Sequence, residues 1–257
     1  MTKTYFEIDG KVAIMFGKIK DITSGISRAG NTFTKLTLTR QKYDSDLCVD
    51  VDIDNDIVFT DTDSFSWAER IDTMKLAPGA TVVIRANINK TDNGVNYYGS
   101  LVTYLTRAGV DFPVSIKGDG DSKDKEYRVI LGRVNRQYCE YEESKNMGVV
   151  PISVRKYNKN EPNDEKKNYF CNFKCKLFND KDDETKKFGQ ELYKHFIGKK
   201  DDAAMFGLFI LDEASKFISD KQKDADHPTV VHYNLLSWDE INIPERPEKA
   251  DKNEKSA

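Results

Sequence analysis

Cysteine and histidine are scarce in this chain of 257 residues, and their spacing excludes several functions at once. The four cysteines, Cys48, Cys139, Cys171 and Cys175, include no CxxC pair. Cys171 and Cys175 fall on one face of an expected strand but roughly 13 Å apart along it, too far for a disulfide or a shared tetrahedral zinc. They read as reduced thiols of a cytosolic protein. His195, His227 and His232 are scattered without ligand spacing. No run approaches the ~18 apolar residues of a membrane span. The opening "MTKTYFEIDGKVAIMFGKIK" has no apolar core behind a basic leader, so no secretory signal is expected.

Apolar residues are also few, at 38% against 32% charged, a balance that suits small domains with much surface. The formal charge is −3, from 40 basic and 43 acidic side chains. A nucleic-acid binder of this composition must hold its basic groups in local patches.

What is present is period-two alternation. Strands are expected over 12–22, over "TFTKLTLTR" (32–40) and over "LCVDVDID" (47–54), where Leu47, Val49, Val51 and Ile53 share a face. A helix capped by Ser64 or Ser66 and ended by Pro78-Gly79 follows. Strands at 81–88 and 95–107 then flank the hairpin signal Asn93-Gly94. The glycine-rich "KGDGDSKDKE" (117–126) reads as a linker. Beyond it the order repeats: "YRVILGRVNRQY", "GVVPISVRKY" and "YFCNFKCKLF", then a helix capped by Asp182 or Asp183 and closed by Gly198, then 203–211 and 229–238. The layout is therefore 1–116 as a first domain, 117–126 as linker, 127–243 as a second domain, and 244–257 as a disordered charged tail.

"IMFGKI" (14–19) and "VILGRV" (129–134) occupy corresponding places. Gly17 to Tyr43 is 26 residues and Gly132 to Tyr157 is 25. Five strands with a helix between the third and fourth is the chain order of the OB barrel. The expected fold is mainly β: two tandem five-stranded OB-fold barrels, whose first strands coil at Gly17 and Gly132.

"VILGRVNRQYCEY" followed by "GVVPISVRKY" resembles the opening strands of bacterial-type single-stranded DNA-binding proteins, and "FGKIKDITSGISRAGNTFTKLTLTR" has the same layout. "KKFGQELYKHFIGKKD", "LAPGATVVIRANI" and "DNGVNYYGSLVTYL" resemble that family's helix, fourth strand and final hairpin. The resemblance covers most of both halves by pattern, most specifically in the first strands. The family usually carries one such unit per chain, and a partner-docking tail with an acidic run and a terminal phenylalanine; here the end is "DKNEKSA", which puts a tail-borne interaction in doubt. A phage-encoded version fits these departures.

Single strands are held by cations that track phosphates and rings on which bases stack. In the second half, Phe170, Lys174, Lys176 and Phe178 should project from the third strand, Arg155 and Tyr157 from the second, with Arg133 and Arg136 adding charge. In the first half, Asp50, Asp52 and Asp54 should face outward among eight aspartates between Asp44 and Asp63. Lys18, Lys20, Lys35, Arg40, Lys42 and Tyr43, with Arg85, Tyr98 and Tyr104, are its candidates for a groove on other strands. The expectation is a sequence-independent single-stranded DNA-binding protein of replication or recombination, cytoplasmic (the host's cytoplasm if phage-encoded), with no cofactor, metal or chemistry. Its partners would be single-stranded DNA, replication or recombination proteins and further copies of itself, not a membrane. The alternatives are an OB-fold adaptor or phage structural component that contacts protein through the acidic first half, and, least favoured, a nuclease or other enzyme.

Overall fold

The computed structural model describes residues 4–120, 122–197, 205–223, 230–241 and 243. Alternating segments of the first half form β1 (Tyr5–Ile8), β2 (Val12–Ile26), β3 (Thr32–Asp44), β4 (Val49–Thr60), β5 (Thr81–Thr91) and β6 (Gly94–Tyr104), with α1 (Trp67–Thr73) between β4 and β5. Ser66 caps α1, its hydroxyl accepting from the Glu69 N–H. Neighbours run β1-β2-β3-β4-β6-β5, and β5 returns to pair with β2, so β2 to β6 close into a five-stranded barrel. β4 and β6 are parallel, whereas the other pairs are antiparallel.

The second half repeats this with β7 (Val110–Ile116), β8 (Lys125–Val134), β9 (Glu140–Glu142), β10 (Met147–Tyr157), β11 (Asn168–Phe178), α2 (Phe188–Ile197), β12 (Phe206–Phe217) and β13 (Val230–Ile241). Here β8, β10, β11, β13 and β12 close the barrel, and the parallel pair is β11 with β13. Both barrels have OB topology, each with its helix between the third and fourth barrel strands. No helix of the described residues is long and apolar enough to cross a membrane.

Gly17 and Gly132 stand where the first barrel strand changes partners. Lys18, after Gly17, pairs with Thr81 on one side and Thr39 on the other. Arg133, after Gly132, pairs with Phe206 and with Ser153. A Cβ on Gly17 would lie 2.3 Å from the Thr39 carbonyl oxygen, and one on Gly132 would lie 2.4 Å from Ile152 Cγ2 and 2.9 Å from the Ser153 carbonyl oxygen. At this corner strand two crosses too close for any side chain, which is why both halves carry glycine.

Three expectations need correction. The strand expected over 47–54 runs instead from Val49 to Thr60, and its buried residues are Ile57 and Phe59. Leu47 and Val49 lie 65% and 50% exposed on the far end of the β3–β4 hairpin, because alternation reports the face of a strand and not whether anything covers it. Helix α2 begins at Phe188, where the Asn179 carboxamide oxygen, and not Asp182 or Asp183, accepts from the N–H groups of Gly189 and Gln190. Asp183 instead closes a turn onto Thr185. Finally β7, which a boundary at 117–126 leaves in the first half, is hydrogen-bonded to β8 in the second sheet, from Val110 opposite Leu131 to Ile116 opposite Lys125. A polar, glycine-rich stretch serves a hairpin as well as a linker. Gly198 and the expected tail, 244–257, lie outside the described residues.

Each barrel has an apolar core of its own, around Leu36, Ile57 and Phe59 in one and Ile152, Phe173 and Phe209 in the other. A third core joins them: Phe6, Ile14, Phe16 and Val83 meet Phe112, Val114, Val129, Leu131, Leu208 and Ile210. Polar contacts ring this junction. Asp9 takes Lys125 at 2.8 Å and the Tyr127 hydroxyl at 2.7 Å, and Arg85 Nη1 donates to the Pro113 carbonyl at 2.7 Å. The buried carboxylate of Asp111, on β7, holds Arg128 of β8 and, at 2.7 Å, Lys156 of β10.

Candidate nucleic-acid interface

Strand β11 carries the most telling alternation. Phe173 and Cys175 point into the barrel and are buried, while Phe170 and Phe178 stand 62% and 41% exposed on the outer wall. Lys174 and Lys176 share that wall between them. Phe170 and Phe178 are eight residues apart, or ~26 Å along a strand, so they would serve different bases. On β10, Ile152 and Val154 are buried as expected, and Arg155 lies opposite Phe170 with its guanidinium on the Asn168 carboxamide oxygen at 3.0 and 3.2 Å. Tyr157 ends the strand 62% exposed. Arg133 is exposed, whereas Arg136 donates from Nε to the Phe196 carbonyl at 3.1 Å, bracing the end of α2.

The topology adds three rings to this wall that no sequence pattern assigned to it. The parallel pairing of β11 with β13 sets His232 beside Lys174, and the His232 ring lies 5.9 Å from that of Phe217 on β12. Tyr138, on the 3-10 turn Arg136–Tyr138 after β8, projects 63% exposed next to Pro151 and Lys174. Two of them have a faint signal in the sequence: Phe217 and Tyr138 are aromatics in largely polar stretches, "SKFISDKQK" and "VNRQYCE". Partial burial, then the ammonium groups of Lys176 and Lys174, hold the His232 imidazole below its usual pKa, so it is neutral at pH 7. Its Nδ1 is buried and has no hydrogen-bond partner among the described residues.

The corresponding wall of the first barrel is differently wired. Asp54 takes Lys20 and the Thr39 hydroxyl, the latter at 2.6 Å. Asp56 takes the Thr37 hydroxyl at 2.6 Å and Lys35 at 3.2 Å. These hydrogen bonds push both carboxyls below the usual aspartate range. Tyr98, 43% exposed, borders a groove that Lys35, Asp54 and Asp56 also line, so carboxylates share the space beside it. Arg40 is half-buried over the Tyr5 ring, 4.6 Å from its centroid, and donates to Asn55 at 2.7 Å. Arg85 is engaged by Ser100 and Pro113 at the junction, and the Tyr104 hydroxyl donates to the Lys75 carbonyl at 2.7 Å. Lys18 and Lys42 are exposed, and Tyr43, 39% exposed, borders a separate groove with Arg40 and Asp50. The structure thus gathers the second-half candidates other than Arg136 on one wall and disperses those of the first half.

No protein-family model matches this chain, and neither does any curated protein. Among solved structures it is similar to the wild-type single-stranded DNA binding protein from Thermus aquaticus, at 10% identity over 97% of this chain and 100% of that one, with a TM-score of 0.29. It is also similar to PriB from Ralstonia solanacearum, at 10% identity over 37% of this chain and 98% of that one, TM-score 0.29. The mitochondrial single-stranded DNA binding protein Rim1 from S. cerevisiae is 16% identical over 37% of this chain and 92% of that one, TM-score 0.29. Likeness at this level decides neither function nor site.

Proposed function

We propose that this chain binds single-stranded DNA with little sequence selection, that its second barrel supplies most of the affinity, and that it coats strands during replication or recombination in the cytoplasm. One observation carries the reading: Phe170, exposed on the outer wall of an OB barrel, shares that wall with Lys174, Lys176 and Arg155. OB folds bind oligonucleotides on the wall made by barrel strands two and three and the loops beside it, here β10, β11 and the turn bearing Tyr138. A ring beside ammonium groups supplies both parts of sequence-tolerant binding, base stacking at ~1–3 kcal/mol per base and phosphate neutralisation. Such binding needs no bond-making group.

The test is a titration of oligo-dT at two salt concentrations. Phe170→Ala with Lys174→Ala should weaken binding by tenfold or more, and by far more than Tyr98→Ala with Lys35→Ala. The logarithmic salt slope should shallow by roughly 0.7 for each phosphate contact removed. Equal losses in the two double variants would refute the asymmetry. A second reading is an adaptor that docks protein on the first half, favoured by Leu47 and Val49 exposed beside Asp50 and Asp52 on the β3–β4 hairpin. Absence of any shift of oligo-dT at low salt would decide for it.

A further inference from the structure

Between the turn at 135–140 and the outer wall of β10 and β11 lies a groove of about 460 Å³. Pro151, Phe173 and Val230 are among its lining residues, and Tyr138 stands exposed at its side. Its polar surface is ordered by a relay. Asn135 Nδ2 donates to Ser153 Oγ at 2.6 Å, and the Ser153 hydroxyl donates to Asn172 Oδ1 at 2.6 Å. A serine hydroxyl has one proton to give, so the relay runs in a single direction and fixes the Asn172 carboxamide. It leaves the Asn172 Nδ2 amino group, a double donor, for the groove that Asn172 lines. The carboxylate at the rim, Glu140, is turned to Lys174 at 3.9 Å.

A ligand for such a space is flat, apolar on its faces and hydrogen-bonding at its edge. Resting on the single-strand reading above, we infer that the groove takes one nucleobase, stacked on Tyr138, and that Asn172 donates to the edge farthest from the sugar. The sugar and phosphate stay outside, near Lys174. At that edge thymine presents O4 and guanine O6, both acceptors, whereas cytosine and adenine present amino groups that would face the amide's own N–H. A modest preference for keto bases is thereby laid over binding that is otherwise indifferent to sequence.

The experiment compares oligo-dT with oligo-dC of equal length at one salt concentration, two pyrimidines that differ at this position. The wild-type chain should bind oligo-dT about three- to tenfold more tightly, the range of a neutral hydrogen bond gained or left unmade. Asn172→Asp, which turns the donor into an acceptor, should weaken both but abolish or invert the ratio. Ser153→Ala, which frees the amide to rotate, should bring the ratio towards one with the fold intact by thermal melting. Phe170→Ala should weaken both oligonucleotides and keep the ratio. Wild-type binding to both with no preference, or a ratio unmoved by Asn172→Asp and Ser153→Ala, overturns this inference and leaves the single-strand reading standing. No binding to either oligonucleotide overturns both.

Discussion

Lys35 Nζ lies 3.2 Å from a carboxylate oxygen of Asp56, across the β3–β4 pair, and that contact ties a candidate phosphate-binding cation to the neighbouring strand. Lys20 is held in the same way by Asp54. Removing the two carboxylates should therefore create affinity. Asp54→Asn with Asp56→Asn is expected to tighten oligo-dT binding roughly two- to tenfold at low salt and to steepen the salt slope, since Lys20 and Lys35 are both released. Because the pairs are solvent-exposed, the melting temperature should move little. Unchanged affinity in the double variant would show that strands do not run over the first barrel at all.

The barrel corners make a prediction about stability. Alanine at Gly132 must displace Ile152 or the Ser153 carbonyl, and alanine at Gly17 must displace the Thr39 carbonyl. Each substitution should cost about 1–3 kcal/mol by urea unfolding, with Gly17→Ala the worse of the two because backbone yields less readily than a side chain. A neutral Gly17→Ala would mean that the corner is looser than its 2.3 Å approach implies.

These corners were legible in the sequence because each half repeats the same local pattern, and so was the inside-outside division of β11 and β10. Phe173 and Cys175 had to face one way if Phe170 and Phe178 faced the other. What stayed hidden depends on residues distant in the chain. Nothing local places Pro113 within reach of Arg85, or His232 beside Lys174; the first follows from the docking of β7 on β8 and the second from a parallel pairing across more than fifty residues. β7 itself was obscured by Pro113 in the middle of "VDFPVSI", since proline normally argues against a strand and here sits in the outermost strand of the second sheet. Depth was hidden too: alternation sets Leu47 and Val49 on the apolar face, and the hairpin carries both beyond the barrel.

The shared core predicts how the chain unfolds. Phe112 is buried among residues of both halves, so the two barrels should melt as one cooperative unit in calorimetry. Phe112→Ala should cost about 3–5 kcal/mol and split the transition into two. A single transition merely displaced downward would assign the coupling to the Asp9 and Arg85 contacts and not to the apolar core.

His232 ties binding to pH. Its imidazole is kept neutral by burial and by Lys176 and Lys174, so the folded protein takes up this proton at a lower pH than an ordinary histidine does. The unfolded chain takes it up near pH ~6.5. The side chain's contribution to stability is therefore complete above that value and is lost as pH falls through it towards the folded pKa. A bound phosphate reverses the local balance: an anion beside the two lysines favours imidazolium, so binding takes up a proton. Affinity for oligo-dT should then rise as pH is lowered from about 7.5 to about 5.5, while His232→Gln should show a flatter profile at similar affinity near neutrality. Proton uptake measured calorimetrically in two buffers of different ionisation enthalpy separates this from a general charge effect. If His232→Gln keeps the full pH slope, the phosphates do not pass between β11 and β13, and the path must run instead along β10, past Arg155 and Tyr157.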